Sequence, residues 1–418
     1  MKAMNINPEQ FSQLLAGDKP VLVDFWAPWC PYCVKITEAY DAIAAAYGEQ
    51  IEVVKVNIDD YEPLSDEQGV DVIPTLILYQ NGKAVDSIIA PESKAAIERF
   101  LGKTLPAKKR TQDTRVHDML IVGGGPGGYT AALYAARAGL DAVVLEKLSA
   151  GGQMALTEQI DNYPGFANGI SGHDLAADMK KQAERFGAQT VNAQVTRMDL
   201  SANPKVVETS EGAFLGKTVV IATGANPRKL GVPEEDALVG RGVAYCASCD
   251  GMFFKDKDVV VIGGGDSAVT EALQLSRIAR SVTIIHRRDT LRATKVYHDQ
   301  LMKIENVHFA WNSVVEKIAH DDKVTGVHLR NVKTGEERLL PCEGVFVSIG
   351  REPVNALFRD QLTLEGGYIQ AGESTETSIP GVFAVGDIRT KALRQVVTAV
   401  ADGAMAVHAA EGYLAEQN

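Results

Sequence analysis

The hydrophobic positions of the first hundred residues alternate between strand and helix periods. The run "VLVDFWAP" (21–28) is apolar on both faces apart from Asp24, which predicts a buried strand. "VKITEAYDAIAAAYG" (34–48) carries apolar residues at helical spacing, and "IEVVKVNID" (51–59) reads as a second buried strand. "DVIPTLILYQNGKAV" (71–85) sets Asn-Gly between two strand-like runs, a strong hairpin signal, and "ESKAAIERFLG" (92–102) closes the region as a helix. "KTLPAKKRTQDTRVH" (103–117) is polar and basic without periodicity; fully extended it reaches about 50 Å, and we set a linker at 103–115. Its Lys108-Lys109-Arg110 cluster reads as a solvated tether.

Beyond the linker, a pattern of strand, glycine-rich turn, helix and strand occurs twice. In "DMLIVGGGPGGYTAALYAARAGLDAVVLE" (118–146), Gly123, Gly125 and Gly128 let the backbone approach a pyrophosphate at the helix N-terminus. Glu146 ends the second strand, where a carboxylate bonds a ribose hydroxyl pair. In "DVVVIGGGDSAVTEALQLSRIARSVTIIHRRDTLRATK" (258–295), Gly263, Gly265 and Ala268 fill the same positions, but the strand ends in His286-Arg287-Arg288, with Arg292 beyond. An acid there would repel a 2′-phosphate and guanidinium groups would clamp one, so this copy should prefer NADPH to NADH. "KTVVIATGANP" (217–227) is a strand into a glycine turn where the first domain hands over to the second. "TSIPGVFAVGDI" (377–388) looks like the strand that brings Asp387 to a cofactor, so the first fold is split around the second.

Composition narrows the classes. At 418 residues and 45% apolar content the chain has room for about three domains. A formal net charge of -12 argues against a nucleic-acid binder, which needs a basic field. The opening "MKAMNINPEQF" has no signal-peptide core, and no window approaches the roughly 20 apolar residues of a membrane span, so a cytoplasmic protein is expected. Four of the five cysteines form two C-x-x-C pairs, Cys30/Cys33 and Cys246/Cys249; in a reducing compartment such pairs are redox-active or metal-binding rather than structural. We expect no metal: the pairs lie far apart and no histidine has ligand spacing. Cys30/Cys33 opens the helix after the first strand, where unpaired N–H groups and the helix dipole favour a thiolate. Cys30, nearer that terminus and the more accessible of the two by expectation, is the candidate nucleophile, and Cys33 would resolve the mixed disulfide. Asp24, a lone carboxylate in a buried strand, should have a raised pKa fit for proton transfer. Cys342 reads as a small buried hydrophobe.

In order, "DFWAPWCPYC", "VNID", "IPTL" and "NGK" resemble thioredoxin over about the first 100 residues. The resemblance implies that Asp24 accepts the proton of Cys33, that Pro74 is cis and faces the disulfide, and that Trp29 packs beside it. Two positions depart. Pro31-Tyr32 stands where thioredoxins carry Gly-Pro and looks like glutaredoxin; potentials of the two families differ by roughly 40–70 mV. Ala90, followed by Pro91, stands where thioredoxins place a surface glycine.

From residue 116 to 418 the order of fingerprint, "ATG" turn, "CASCDG", fingerprint with "HRR" and "GVFAVGD" resembles the low-molecular-weight thioredoxin reductases. The implied fold class is α/β: a thioredoxin fold (1–102), then two Rossmann-like three-layer domains, with an NADPH domain (231–350) inserted in an FAD domain (116–230 and 351–418). The resemblance implies FAD held by the Gly123 loop, Glu146, Gln153, Asn162, Asp387, Arg394 and Gln395, and NADPH on Gly263, Gly265, Ser267, Arg287, Arg288 and Arg292. It also implies a homodimer through the FAD domains, Cys249 facing the flavin, Cys246 as the interchange thiol, Asp250 moving the proton, and a domain rotation hinged near 230–243 and 349–353. The expected electron path is NADPH, FAD, Cys246/Cys249, Cys30/Cys33, then a protein disulfide. Alternatives are a peroxiredoxin reductase of the alkyl hydroperoxide type, whose N-terminal module is about twice as long, a glutaredoxin-like reductase, a disulfide isomerase, and a regulatory protein using the first domain for docking.

Overall fold

The computed structural model describes residues 2–105, 115–157, 159–293 and 295–417. They form two compact units, Met1–Leu156 with Gly172–Gly224 and Pro353–Asn418, and Thr157–Ser171 with Ala225–Glu352. Most of the expected linker, 106–114, lies outside the described residues. Among the described residues no helix is long and apolar enough to cross a membrane.

The first unit begins with β1 (Met4–Asn5), α1 (Pro8–Leu15), β2 (Val21–Trp26), α2 (Pro31–Tyr47), β3 (Glu52–Asn57), α3 (Glu62–Glu67), β4 (Thr75–Gln80), β5 (Lys83–Ile89) and α4 (Lys94–Leu101). The sheet order is β1-β3-β2-β4-β5, with β2 parallel to β3 and antiparallel to β4. The reading of β2 as apolar on both faces apart from Asp24 follows from this central place, since both of its faces are covered. At the β4–β5 hairpin Asn81 and Gly82 take φ of 49° and 75°, the turn that matches strand twist. α2 packs Ile36, Ala39, Tyr40, Ile43 and Tyr47 into the core, a stripe at helical spacing.

The same unit continues with β6 (Val116–Val122), α5 (Pro126–Arg137), β7 (Ala142–Glu146), α6 (Gly172–Arg185), β8 (Gln189–Asn192), β9 (Val195–Asp199), β10 (Lys205–Thr209) and β11 (Gly212–Ile221). Strands run β8-β7-β6-β11-β10-β9, parallel from β8 to β11. The strand Val382–Ala384 lies parallel to β11, pairing Val219 with Val382 and Ile221 with Ala384. The C-terminal segment therefore completes the sheet begun at residue 116.

The second unit contains β12 (Ala225–Pro227), β13 (Val243–Ala244), α7 (Ala247–Asp250), β14 (Asp258–Ile262), α8 (Asp266–Leu275), β15 (Ser281–His286), α9 (Lys295–Leu301), β16 (Val307–Trp311), β17 (Ser313–His320), β18 (Val324–Asn331), β19 (Glu337–Pro341) and β20 (Gly344–Val347). A parallel sheet runs β13-β20-β14-β15-β16, and β17-β18-β19 form an antiparallel meander. β21 (Arg351–Pro353) pairs with β12. Cys342 is buried among Val327, Val345 and Val347, and burial pushes its thiol up to about 12.

In the first unit α10 (Val396–Glu416) crosses α5 with glycine against glycine: a Cβ on Gly403 would stand 2.4 Å from the Gly127 carbonyl oxygen. Gly403→Ala should lower the thermal midpoint by the equivalent of about 2 kcal/mol or more. Gly412→Ala, at an exposed site with open space around it, should raise stability by about 0.5–1 kcal/mol. Equal midpoints for the two variants would show that the crossing is not tight.

Candidate active site

β2 ends at Trp26, and its chain delivers Cys30 to the N-cap of α2. The Cys33 amide donates to Cys30 Sγ at 3.2 Å, and the Cys30 thiol lies 3.7 Å from the Ile73 carbonyl oxygen. The Ile73–Pro74 peptide is cis, and the Ala90 amide donates to the Pro74 carbonyl at 2.8 Å. Ala90 takes φ of 42°, the left-handed region, which accounts physically for glycine being the usual residue there. Trp29 is half exposed and donates its ring N–H to Asp59 at 2.9–3.0 Å.

Cys30 is the more exposed of the two thiols, but only at 4% against 1% for Cys33, because the Ile73–Pro74 loop covers its sulfur. What separates the two thiols is hydrogen bonding. Both are free. Donation from the Cys33 thiol, with the Cys33 and Tyr32 amides, lowers the Cys30 pKa, whereas burial and that same bond raise Cys33 strongly. The pair is thus one thiolate-prone sulfur beside one that holds its proton.

Asp24 is fully buried in β2, and neither carboxyl oxygen has a hydrogen-bond partner. Burial raises its pKa from 3.8 to about 7, and Lys55, 3.9 Å away, pulls the other way. The Lys55 ammonium also sits 5.5 Å from the rings of Trp26 and Tyr40.

The second pair lies on α7. Cys246 is its N-cap and is disulfide-bonded; the Cys249 side chain lies outside the described part. Burial raises Asp250 to about 6. Beside it is a group that sequence reasoning missed: Glu271 on α8, raised to about 7 by burial, accepts from the Ser348 hydroxyl and the Ala247 amide and feels Asp250 and Arg351. Nothing in the sequence distinguishes it from a helix-surface glutamate. Among the described residues no group of three or more metal-ligating side chains occurs.

The two glycine turns share one geometry. In the first, a Cβ on Gly128 would stand 2.0 Å from the Gly123 carbonyl, so helix and turn close only around glycine. Gly125 caps α5 without any side-chain hydrogen bond, and no atom lies within 4 Å of where its Cβ would stand. Glu146 accepts from the Gly124 amide at 2.7 Å and the Leu148 amide at 3.0 Å, which fixes its carboxylate at the strand end. This cradle suits a pyrophosphate and a ribose, as FAD carries. In the same unit Asp387 lies on a turn whose Gly386 amide is held by buried Asp402 at 2.8 Å, with Arg389 on Asp402 at 2.6 Å. Arg394 donates to the carbonyls of Asp387 and Arg389 and stacks 4.0 Å over Tyr368, and Gln395 caps α10. Gln153 is exposed beside the Met154–Leu156 turn; Asn162 falls in the other unit, on Thr157–Ser171.

In the second turn Gly265 caps α8, again with no side-chain cap, and Ser267 is exposed on the first helical turn. Where the first copy places its carboxylate against Gly124, the His286 ring covers Gly264, its atoms 2.3–2.6 Å from the point where a Cβ would stand. Its buried Nε2 has no partner, and burial, then Arg292, Arg288 and Arg287, lower its pKa, so the imidazole is neutral. Arg287, Arg288 and Arg292 are exposed around it, and the Arg292 amide donates to Gly264 at 2.7 Å. The residues fit a phosphorylated dinucleotide: an uncapped helix start and guanidinium groups at the position that selects against or for a 2′-phosphate.

Residues 117–403 match the pyridine nucleotide-disulphide oxidoreductase family model, and residues 2–103 match thioredoxin. The chain belongs to the pyridine nucleotide-disulphide oxidoreductases. Within them it is 49% identical over 304 residues to thioredoxin reductase of Streptomyces clavuligerus, covering 72% of this chain and 94% of that one. It is 46% identical to the bifunctional thioredoxin reductase/thioredoxin of Mycobacterium leprae, covering 72% of this chain and 66% of that protein. The crystal structure of thioredoxin reductase from Streptococcus pyogenes superposes with a TM-score of 0.69 at 45% identity, over 73% of this chain and all of that one. A thioredoxin-like domain is thus fused to a reductase of the low-molecular-weight type, with FAD- and NADPH-dependent chemistry.

The Asp24 carboxyl makes a pH prediction. Below about pH 3.8 it is neutral folded and unfolded, at no cost to folding. As pH rises the unfolded group ionises first, so stability is lost until about pH 7, where the loss reaches roughly 4 kcal/mol. Asp24→Asn should gain stability over the native chain across that window and level off above it. Hydrogen exchange of β2 amides measures this, and a pH-independent difference would contradict the burial account.

Proposed function

We propose that this oxidoreductase is an NADPH-dependent thioredoxin-disulfide reductase that carries its own acceptor, the thioredoxin-like domain 1–102, joined by linker 103–115 to FAD-binding segments 116–230 and 351–418 around an NADPH-binding segment 231–350. When bound, NADPH supplies the electron pair and FAD relays it to the Cys246/Cys249 disulfide. The reading includes a cytoplasmic location, as expected from the sequence, and a homodimer formed through the FAD-binding segments, carried over from the reductase resemblance.

The observation that carries the proposal is the polarised thiol pair on α2. Cys30, the lower-pKa sulfur, attacks a substrate disulfide, forms a mixed disulfide and expels one substrate thiolate. Cys33 gives its proton to Asp24 and attacks Cys30 Sγ, releasing the second substrate thiol; a Cys30–Cys33 disulfide remains and the substrate has gained two electrons. Asp24, near pH 7 in pKa, is matched to taking up and losing that proton under ordinary conditions. Cys246, once reduced, attacks the Cys30–Cys33 disulfide and expels one thiolate of the pair; Cys249 then attacks Cys246 Sγ and releases the other, so that the Cys30/Cys33 dithiol and the Cys246–Cys249 disulfide remain, with Asp250 holding the proton. Tethering brings the acceptor to millimolar effective concentration, so the attached domain outcompetes dilute free thioredoxin. Arg287, Arg288 and Arg292 bind the 2′-phosphate, and neutral His286 walls the turn without repelling it.

Two experiments test this reading. NADPH oxidation should be followed with insulin, a glutathione mixed disulfide and an oxidised peroxiredoxin as acceptors. A Cys30→Ser/Cys33→Ser variant should lose about a hundredfold or more of the rate with each acceptor that uses the relay; an unchanged rate would mean Cys246/Cys249 serve that acceptor directly. Arg287→Ala/Arg288→Ala should raise the KM for NADPH on the order of tenfold per guanidinium lost and leave that for NADH nearly unchanged. A parallel rise for both nucleotides would sink the 2′-phosphate assignment.

A further inference from the structure

The thioredoxin-like domain is seated on the FAD-binding part of its own unit by contacts that neither function requires. Lys94, 6% exposed, lies 2.6 Å from Glu211 and 3.3 Å from Glu98. Its amide donates to the Lys147 carbonyl at 3.3 Å. Buried Ser93 caps α4 by accepting from the Ala96 amide and donates its hydroxyl to Gln194 at 2.8 Å. On α2 the Glu38 amide donates to Ser149 at 3.1 Å, and the Glu38 carboxylate pairs with Lys180 at 3.0 Å. Leu148, the residue after the Glu146 strand, joins the apolar cluster of Ile36, Tyr47 and Phe100. The seat is mixed: an apolar plug, two ion pairs and two side-chain hydrogen bonds.

Its position relative to the thiols gives it meaning. From Cys30 Sγ the chain of contacts runs to Ile73, Pro74 and Ala90, and three residues later to Ser93 and Lys94 in the seat. On the other side Cys33 and Glu38 share α2, little more than one turn apart. The segments that leave the thiol pair on two sides, Ala90–Lys94 and the second turn of α2, are held against the FAD-binding part, while Trp29 stays half exposed. A macromolecular disulfide needs the whole rim; a small reagent does not.

We propose that Leu148, Ser149, Lys180, Gln194 and Glu211 form an internal dock for the thioredoxin-like domain, and that the domain must leave it before Cys30 meets a protein disulfide. The inference rests on reading Cys30 as the thiol that meets protein substrates, but its test needs neither NADPH nor turnover. Reversing the charge of Glu211 breaks its 2.6 Å pair with buried Lys94 and sets two ammonium groups against each other, which shifts an equilibrium on the order of tenfold even though Lys94 keeps Glu98 at 3.3 Å. Losing the more exposed Lys180–Glu38 pair shifts it no more than about fivefold.

The full-length, pre-reduced protein is labelled with iodoacetamide and with a polyethylene-glycol maleimide of protein size, and Cys30 is quantified by peptide mass. Glu211→Lys should speed bulky labelling of Cys30 by about tenfold or more and Lys180→Glu by a few-fold, with iodoacetamide rates within about twofold of native. The radius of gyration from solution scattering should rise in the same order. Because both substitutions lie on the FAD-binding part and leave the thioredoxin-like domain intact, an unchanged iodoacetamide rate reports that the thiol site is still folded. Bulky labelling that stays at the native rate in both variants overturns the dock. If bulky labelling accelerates while no variant, nor the native chain, reduces insulin with NADPH, the dock stands and the functional reading falls.

Discussion

The unpaired amides at the start of a helix are the constraint around which this chain is built. α1 and α4 satisfy theirs conventionally, with Asn7 and Ser93 accepting from the third helical residue. α5, α7 and α8 do not: Gly125, Cys246 and Gly265 make no side-chain cap bond. α2 uses a sulfur, Cys30, as the acceptor. The starts that bear the cysteine pairs and glycine turns are left uncapped or capped by a thiol, and their amides favour a thiolate in one case and a pyrophosphate in another. Capping them with Ser or Asp would strengthen the helices and fill the sites.

The buried acid beside the first pair shows what such a site costs. Holding Asp24 without a hydrogen-bond partner removes roughly 4 kcal/mol at neutral pH, a large part of the 5–15 kcal/mol that stabilises a typical domain. Lys55 offsets some of it through a 3.9 Å separation that is too long for a hydrogen bond. A structural carboxylate would have been paired more closely. The looseness leaves Asp24 able to exchange a proton near pH 7.

Much of this was legible in the chain, for a local reason. The Asn81-Gly82 hairpin, the glycine turns and the strand lengths are set by backbone conformations that few residues adopt, so composition reveals them. Long-range features were not. Lys94 and Glu211 are 117 residues apart, and each alone reads as a surface charge. Glu271 sits on α8 as an ordinary helical glutamate until Ser348 and the Ala247 amide close over it. The near-complete burial of Cys30 was not visible because the covering loop, at Ile73, arrives from 43 residues away. His286 was visible only as the absence of an acid; that its ring takes the carboxylate's place required the geometry of Gly264.

The dock and the relay make opposite demands on one domain, and the balance between them decides the rate. A seat too firm would hold Cys30 and Cys33 from protein partners, and one too weak would forgo part of the tethering advantage. The relay depends on the first thiol pair being a real station on the electron path. The most direct test is an anaerobic titration of the fully oxidised protein with NADPH, comparing the native chain with Cys30→Ser/Cys33→Ser. If electrons pass from Cys246/Cys249 to Cys30/Cys33, the native chain takes up one electron pair more than the variant before NADPH accumulates. Equal uptake by the two proteins would contradict the relay.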